Sequence, residues 1–225
     1  MFSGPSKYAG DVDYIMFLIV GVSVLLLVGI TIAMIYFVIR YSRKKNPKAS
    51  QIEGSATLET IWILLPTVLV LAMFYYGYSG FRTFRTIPEN SQTVHVTGRM
   101  WSWNFKYENG KQSDTLYVPL STPTKLILTT ADVNHSLFIP AFRIKEDALA
   151  GKENYMVVNP DKTGSYDIAC AEYCGMNHSY MYTKLVVLPD EEYKKWLEMK
   201  DGPVDSTKTA AIDDSAKVVS VSGQR

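Results

Sequence analysis

Hydrophobic and polar positions divide this chain into parts of different character. Two long apolar runs without a formal charge lie near its start, at residues 14–39 and 60–81, and short segments of partly alternating polarity follow from about residue 88. After residue 201 large apolar side chains are almost absent. Long uncharged runs are typical of membrane-spanning helices, and short alternating segments are typical of β-strands. The pattern predicts two membrane helices, a β-domain and a polar tail.

The two apolar runs are long enough to cross a membrane. Residues 14–39 number 26 and would form a helix of about 39 Å at ~1.5 Å per residue, against a hydrocarbon core of about 30 Å. The second helix is predicted over residues 59–81, with Pro66 early in it, where membrane helices tolerate a proline. A buried hairpin of a soluble protein is the alternative, but two such runs joined by a basic connector disfavour it.

The connector at residues 40–58 is basic, with Glu53 as its one acidic residue before the next run. Its basic residues are Arg40, Arg43, Lys44, Lys45 and Lys48. Short basic loops stay on the cytoplasmic side of a membrane, so both termini are predicted on the opposite side. Residues 1–13 lack the basic start and the cleavage pattern of a secretory signal, and no cleaved signal is expected.

Short segments rich in β-branched and aromatic residues follow the membrane helices. The predicted strands are residues 93–97, 100–107, 115–118, 125–130, 137–139, 155–158, 165–169 and 181–188. Turn signals such as Asn109-Gly110 separate them, and this spacing is typical of a β-sandwich or small barrel. A short helix is predicted to follow at residues 190–199. The domain therefore covers residues 88–200, and residues 201–225 are predicted to be disordered.

Charge and cysteine content narrow the function only in part. Lys and Arg number 23 and Asp and Glu number 22, so the chain has no strongly basic surface, and nucleic-acid binding is excluded. Cys170 and Cys174 are the only cysteines and are separated by three residues. They could form a disulfide in an oxidising compartment or bind a metal, and composition does not decide between the two.

The segment from Cys170 to Met181 concentrates the ligands that copper prefers. It holds both cysteines, His178 and Met181 within one predicted connection between two strands. Thiolate, imidazole and thioether groups suit redox-active copper, whereas magnesium and calcium prefer carboxylate and carbonyl oxygens. His135 lies on a separate turn that also leads into a strand, and could contribute from a distance. The segment therefore predicts a copper site.

The second cysteine decides what kind of copper site is expected. A mononuclear blue-copper centre uses one cysteine, two histidines and a weak axial methionine. Two thiolates can instead bridge two copper ions, with an imidazole for each ion and a methionine sulfur and a main-chain carbonyl as weaker ligands. A Cys170–Cys174 disulfide is the alternative, but the coincidence of four potential ligands in C-x-x-x-C-x-x-x-H-x-x-M disfavours it. His95 lies in an alternating strand without metal-binding neighbours and is assigned a structural role.

The two-helix hairpin, the β-domain and the signature C-x-E-x-C-G-x-x-H-x-x-M together resemble subunit II of the haem-copper cytochrome c oxidases. The resemblance covers the chain except its first residues and the tail from about Asp201. It implies an N-terminal two-helix transmembrane hairpin followed by an all-β, cupredoxin-like Greek-key barrel. In this family the barrel carries the binuclear copper centre CuA.

The resemblance also implies a set of metal ligands: His135, Cys170, Glu172, Cys174, His178 and Met181. The two cysteines would bridge the copper ions. His135 and Met181 would complete one ion, and His178 with the main-chain carbonyl of Glu172 would complete the other. The side chain of Glu172 would point toward a magnesium ion at the contact with subunit I.

Two further positions gain a role from the resemblance alone. Trp101, in Gly98-Arg99-Met100-Trp101-Ser102-Trp103-Asn104-Phe105, is similar to the tryptophan that receives electrons from cytochrome c. Core packing is the alternative for such a residue, and it is the role expected of Trp103 and Phe105. Glu59 is similar to the glutamate at the entrance of the K channel, which is a proton path in subunit I. The alternative for Glu59 is an acidic residue that favours a helix N-terminus.

The chain departs from the family pattern in two respects. Many relatives have D-A-x-P-G-R where residues 147–152 are Asp-Ala-Leu-Ala-Gly-Lys, and a lysine lacks the bidentate fork of an arginine. Residues 88–200 hold 14 acidic and 12 basic residues, a net charge of −2, which gives only weak steering toward a basic cytochrome c. A membrane-tethered or complex-bound haem donor is therefore a plausible alternative to a soluble cytochrome c.

The resemblance implies an electron-accepting subunit of a terminal oxidase in a bacterial inner membrane, or in its organellar descendant. Electrons from cytochrome c would pass through CuA to haem in subunit I, where oxygen is reduced and protons are pumped; the haems belong to subunit I. The partners would be subunit I, other oxidase subunits, cytochrome c and membrane lipid. The alternatives are a membrane-tethered cupredoxin that carries electrons or delivers copper without subunit I, and a quinol oxidase subunit, which lacks the copper ligands. Nitrous oxide reductase also carries CuA but needs a catalytic domain for which this chain has no room.

Overall fold

The computed structural model describes residues 4–6, 8–48 and 53–199 and divides them into two compact units. One unit covers Asp11–Thr83, and the other combines the residues before Asp11 with those from Phe84 onward. In the second unit the N–H of Asp161 donates to the carbonyl of Pro5, and Ser6 pairs with Pro160, so Pro5 and Ser6 pack on the β-domain. The tail predicted over residues 201–225 lies outside the described residues.

The first unit contains two long apolar helices, α1 (Ala9–Arg40) and α2 (Ala56–Arg85). At ~1.5 Å per residue their 32 and 30 residues give lengths of about 48 and 45 Å, more than a hydrocarbon core of about 30 Å. Their apolar side chains are exposed, and the most apolar stretch of each helix buries no residue inside the protein. Burial of so much apolar surface requires lipid, and the chain is membrane-anchored.

The second unit is a β-domain built from ten strands, followed by the helix α3 (Asp190–Glu198). The strands are β1 (Gln92–Arg99), β2 (Ser102–Tyr107), β3 (Gln112–Ser113), β4 (Leu116–Pro119), β5 (Thr124–Thr130), β6 (His135–Ile139), β7 (Ile144–Ala148), β8 (Asn154–Val158), β9 (Gly164–Cys170) and β10 (Tyr182–Leu188). They form two five-stranded sheets with the orders β3-β2-β1-β5-β8 and β4-β10-β9-β6-β7. The pairs β1–β5 and β4–β10 are parallel, and the other pairs are antiparallel.

One hydrophobic core joins the two sheets. Alternate residues are buried in β1, β2 and β5; in β1, for example, Val94 and Val96 are inside and His95 is exposed. β6, β8 and β10 bury runs of three consecutive residues. The core includes Phe105, Leu126 and Leu128 from the first sheet and Leu137, Ile139, Ile168 and Leu185 from the second. The predicted fold class, two transmembrane helices followed by an all-β, cupredoxin-like domain, is confirmed.

Each of the predicted strand segments overlaps a strand of the structure, but β3 and β7 were not predicted from the sequence. β7 carries Lys145, Glu146 and Asp147 in succession and has little of the β-branched pattern. It lies at the edge of its sheet, where Lys145 is exposed and Glu146 forms an ion pair with Arg85 at 2.9 Å. Charged side chains at an edge also discourage pairing with another chain. β3 has only two residues, which is too short for a period to be visible. β7 matters for the site because it pairs with β6, whose first residue is His135.

Candidate metal centre

The second sheet brings the predicted copper ligands to one of its ends. Cys170 is the last residue of β9 and His135 is the first residue of β6, and these neighbouring strands are antiparallel. Met181 immediately precedes β10, and its carbonyl accepts a hydrogen bond from the N–H of Cys170 at 3.1 Å. Cys174 and His178 lie on the connection between β9 and β10. We call residues 171–181 the metal loop.

The two sulfur atoms lie close together, and an imidazole nitrogen lies beside each. The Sγ atoms of Cys170 and Cys174 are 3.8 Å apart, far beyond a disulfide bond of about 2.05 Å, and both cysteines are free. Nδ1 of His135 is 3.8 Å from Sγ of Cys170, and Nδ1 of His178 is 3.5 Å from Sγ of Cys174. The structure therefore has two sulfur–imidazole pairs side by side.

Two weaker donors approach the same sulfur atoms. The Sδ atom of Met181 is 3.8 Å from Sγ of Cys174, and the main-chain carbonyl oxygen of Glu172 is 3.3 Å from Sγ of Cys170. Five side chains and one carbonyl converge, as the sequence predicts for a pair of bridged ions. Soft sulfur and nitrogen donors without a carboxylate suit copper better than magnesium or calcium, and the donor set fits copper.

The cluster is shielded from water except at His178. His135 and Met181 are completely buried, the cysteines are nearly so, and His178 is half-buried. Burial, reinforced by the neighbouring Cys170, raises the pKa of the Cys174 thiol to about 11. Without a metal this residue is a neutral thiol at pH 7, so a metal that binds here must release its proton. Ligand atoms of His135, Cys170 and Cys174 all lie within 4.8 Å of one another. Within the described residues this is the one group of at least three histidine, cysteine, aspartate or glutamate side chains that meets this distance.

Asp132 is a residue of the site that the sequence analysis did not single out. Its Oδ1 lies 2.9 Å from Nε2 of His135 and accepts the N–H of Val133 at 2.7 Å, and its Oδ2 accepts the N–H of Met100 at 2.8 Å. Burial works to raise the pKa of Asp132, but the hydrogen bonds from Met100, His135 and Val133 outweigh it and lower the pKa to about 2. The aspartate three residues before a candidate ligand, on the same turn, was the signal available in the sequence.

Trp101 packs on the metal loop. Its Nε1–H donates to the carbonyl of Cys174 at 3.2 Å, and its ring lies so close to Gly175 that a Cβ there would be 3.3 Å from Cζ2. Trp103 and Phe105 are buried in the core, and the ring of Trp103 meets that of His135 edge to face at 5.9 Å. Trp101 is thus the half-buried member of this aromatic segment, in direct contact with the loop that holds Cys174.

Other predicted positions are not among the residues that contact the two sulfur atoms. The side chain of Glu172 is exposed, although its carbonyl faces Cys170. Glu59 lies in the first turn of α2 and is exposed, within the other unit. His95 is an exposed residue of β1. In residues 147–152, which depart from the family pattern, Asp147 accepts a hydrogen bond from Ser136 at 2.7 Å, and Lys152 is exposed.

Comparison with known proteins identifies the family. Residues 6–79 match the family model described as the cytochrome c oxidase subunit II transmembrane domain, and residues 110–188 match the model for the periplasmic domain of the same subunit. The alternative cytochrome c oxidase subunit 2 of Bradyrhizobium diazoefficiens is 27% identical over 86% of this chain and 80% of that protein. Cytochrome c oxidase subunit 2 of Alkalihalophilus pseudofirmus is 31% identical over 86% of this chain, which spans 60% of its length.

Among solved structures, the crystal structure of the periplasmic domain of subunit II of cytochrome oxidase of Bradyrhizobium japonicum is 30% identical. The match covers 50% of this chain and 95% of that one, with a TM-score of 0.48. The family models together account for both the apolar helices and the domain that contains the sulfur–imidazole pairs. The chain belongs to the cytochrome c oxidase subunit II family, and its two apolar helices anchor it in a membrane.

Proposed function

We propose that this chain accepts single electrons from a cytochrome c at a binuclear copper centre of the CuA type. It passes them toward haem in subunit I, where oxygen is reduced and protons are pumped. The observation that carries the proposal is the pair of free sulfur atoms 3.8 Å apart, each with an imidazole nitrogen beside it. A site for one blue-copper ion would leave one of the two cysteines without a role.

The chain's own residues hold and shield the centre. Cys170 and Cys174 would hold both copper ions as thiolates. His135 and Met181 would be further ligands of one ion, and His178 with the main-chain carbonyl of Glu172 would be further ligands of the other. Copper bound there exchanges single electrons and acts on no substrate. Because Cys170 and His135 are strand residues with fixed backbone partners, these two ligands would be held in place before and after electron transfer. Burial of Met181 and His135 excludes water from one side.

Electrons enter at Trp101 in this proposal. The indole is half-buried, so part of its ring remains available to a donor, and its N–H contacts the carbonyl of Cys174. A single hydrogen bond therefore connects the Trp101 ring with the ligand residue Cys174. No other tryptophan in the described residues contacts the metal loop by a hydrogen bond.

The remaining roles come from the family and from the charge pattern. The basic connector supports an orientation with the β-domain and both termini in the periplasm, or in the intermembrane space of a mitochondrion. Glu59 then lies at the entrance of the proton path into subunit I. The exposed carboxylate of Glu172 is available for a magnesium ion at the contact with subunit I. Subunit I, further oxidase subunits and membrane lipid are the standing partners, and cytochrome c is the transient one.

Copper stoichiometry and electron paramagnetic resonance test the proposal directly. The full chain is purified in detergent under reducing conditions, loaded with copper and measured after excess metal is removed. The expected result is two coppers per chain sharing one unpaired electron, seen as a seven-line pattern. One copper with a four-line pattern would instead favour a tethered cupredoxin carrier, and an absence of bound copper would reject both functions.

Matched variants show whether the signal comes from this cluster. Cys174→Ser removes one bridging sulfur and is expected to abolish the seven-line pattern. Ser179→Ala changes an exposed residue of the same loop and is expected to leave metal content and spectrum unchanged. A seven-line pattern that survives in Cys174→Ser would place the copper elsewhere.

A further inference from the structure

We propose that Asp132 is a positioning residue that sets the ring of His135 toward Cys170 and holds the turn carrying Trp101 against the metal loop. This inference rests on the copper site proposed above, and it assigns both tasks to the one carboxylate of Asp132. One oxygen faces a ligand, and the other faces the backbone next to the residue at which electrons enter. Asp132 itself contacts no reacting atom.

On the ligand side, Asp132 fixes which nitrogen of His135 is free. A carboxylate can only accept, so its contact with Nε2 at 2.9 Å requires the ring proton to sit on Nε2. Nδ1 then carries the lone pair that faces Cys170 at 3.8 Å. The ring is completely buried, and without Asp132 its N–H would be left unpaired in the interior, which is unfavourable.

Close packing fixes the same ring from its sides. A Cβ at Gly98 would lie 3.1 Å from Cδ2 of His135 and equally close to the ring of Trp103. The imidazole is thus enclosed by a glycine and an indole. Asp132 determines its remaining freedom, the half-turn of the ring that exchanges Nδ1 with Cδ2 and Nε2 with Cε1. Packing alone cannot tell the two ring orientations apart, because they have nearly the same shape.

On the other side, Asp132 holds the turn between β1 and β2. Its Oδ2 accepts the N–H of Met100 at 2.8 Å, and the next residue is Trp101, whose indole N–H donates to Cys174. The contacts run from His135 through Asp132 and Met100 to Trp101, and from there to the metal loop. One carboxylate therefore connects a ligand of the centre with the residue that passes electrons to it.

An asparagine cannot perform both tasks, which makes Asp132→Asn the informative variant. Its one oxygen can face either Nε2–H of His135 or the N–H of Met100, and its NH₂ group then opposes a donor on the other side. The full chain carrying Asp132→Asn is expected to bind copper about 10–100-fold more weakly in competition with a chelator, and to show altered hyperfine splitting. Asp114→Asn removes the same charge at an exposed site of the domain and should match the wild type. Wild-type affinity and spectrum in Asp132→Asn would overturn the proposal.

A measurement on the unaltered chain decides the question even if the variant does not fold. Nitrogen NMR of the metal-free protein, labelled at its three histidines, reports the proton position on each ring. The expected result is a proton on Nε2 of His135 and a slowly exchanging amide at Met100. A proton on Nδ1, or rapid exchange at Met100, would refute the proposal. Both readings need no metal, so they remain informative if the copper site itself is disproved.

Discussion

At the scale of single residues, the contact between Trp101 and Cys174 allows electron transfer to be tested separately from copper binding. Trp101→Phe keeps an aromatic ring but removes the N–H that donates to the carbonyl of Cys174. Reduction of the copper-loaded full chain by cytochrome c is expected to slow about tenfold or more, a barrier increase of about 1.4 kcal/mol or more, with an unchanged copper spectrum. Stopped-flow absorbance measures the rate.

Trp196→Phe is the control for this prediction, since Trp196 stacks on Tyr117 with ring centroids 4.3 Å apart and is not among the residues that contact the metal loop. An unaltered rate in Trp101→Phe would reject Trp101 as the point at which electrons enter. A changed copper spectrum would show instead that the indole acts by shaping the site.

Gly175 is the position at which a single methyl group would separate the indole from the loop. Its φ of +115° is rarely adopted by other residues, and a Cβ would lie 3.3 Å from the ring of Trp101. Gly175→Ala is expected to destabilise the loop by about 1–3 kcal/mol and to weaken copper binding. Competition with a chelator measures the affinity.

Gly110→Ala separates backbone strain from the clash with the indole. Gly110 also has a positive φ, +87°, but a Cβ there would meet nothing within 4 Å, and it lies on a different turn. Its replacement is expected to leave copper affinity unchanged. Equal loss of affinity in both variants would show that the contact with Trp101 does not matter for the metal loop.

The chemistry of the site could be predicted from the sequence because the ligand types are concentrated between Cys170 and Met181. The partner His135 lies 35 residues before Cys170, and its approach depends on the pairing of β6 with β9. The role of Asp132 was not predicted from the sequence, because it depends on contacts with both His135, on its own turn, and Met100, on a different turn. A sequence shows ligand types at close spacing, but it does not show which backbone amide a carboxylate will find.

At the scale of elements, the strands with alternating apolar residues could be predicted and the charged edge strand could not. β1 and β5 bury every second side chain, whereas β7 carries Lys145, Glu146 and Asp147 in succession at the edge of its sheet and shows no such alternation. The membrane helices were the easiest to predict, since an uncharged run is visible without knowledge of its neighbours. The structure extends both helices by several residues into the flanking polar sequence.

The helix α3 offers a prediction at the same scale, because Lys111 contacts its end. The Nζ of Lys111 donates to the carbonyls of Trp196 and Met199, the latter at 2.9 Å, and lies 4.3 Å from the centre of the Trp196 ring. The last carbonyls of a helix lack partners within it, and a cation there is favourable. Lys111→Met is expected to destabilise the β-domain by about 1–2 kcal/mol through loss of the helix-end and cation–π contacts.

Thermal unfolding followed by tryptophan fluorescence measures this effect, since three of the four tryptophans, Trp101, Trp103 and Trp196, lie in the β-domain. Lys106→Met, at an exposed position of β2, is the matched control and should leave the midpoint unchanged. If the two variants lowered the midpoint equally, the contacts of Lys111 with α3 would contribute nothing specific.

At the scale of the whole molecule, the helical unit and the β-domain are suited to different surroundings. The exposed apolar helices require lipid, and the β-domain encloses its own core in water. The copper proposal requires the β-domain to meet a cytochrome c on the outer side of the membrane. The orientation of the helices is therefore as important to the function as the geometry of the ligands.

Charge on the connector should decide that orientation. The connector carries five basic residues, from Arg40 to Lys48. In the sequence, Lys7 precedes α1, and Arg82 and Arg85 belong to the last residues of α2. Replacing Arg43, Lys44 and Lys45 with glutamine leaves two basic residues on the connector against those three, which reverses the bias. A substantial fraction of the chains is then expected to insert with the β-domain in the cytoplasm.

Protease added to the outside of intact spheroplasts distinguishes the two orientations. In the wild type it should reach the β-domain, and in the triple variant part of the β-domain should be protected until the membrane is permeabilised. Glutamine at Lys106, Lys152 and Lys194 removes the same number of charges from the β-domain, and full exposure should persist because charges within a long translocated domain have little influence on orientation. Full exposure in the connector variant as well would mean that contacts with other oxidase subunits, and not the connector charge, determine on which side the metal centre lies.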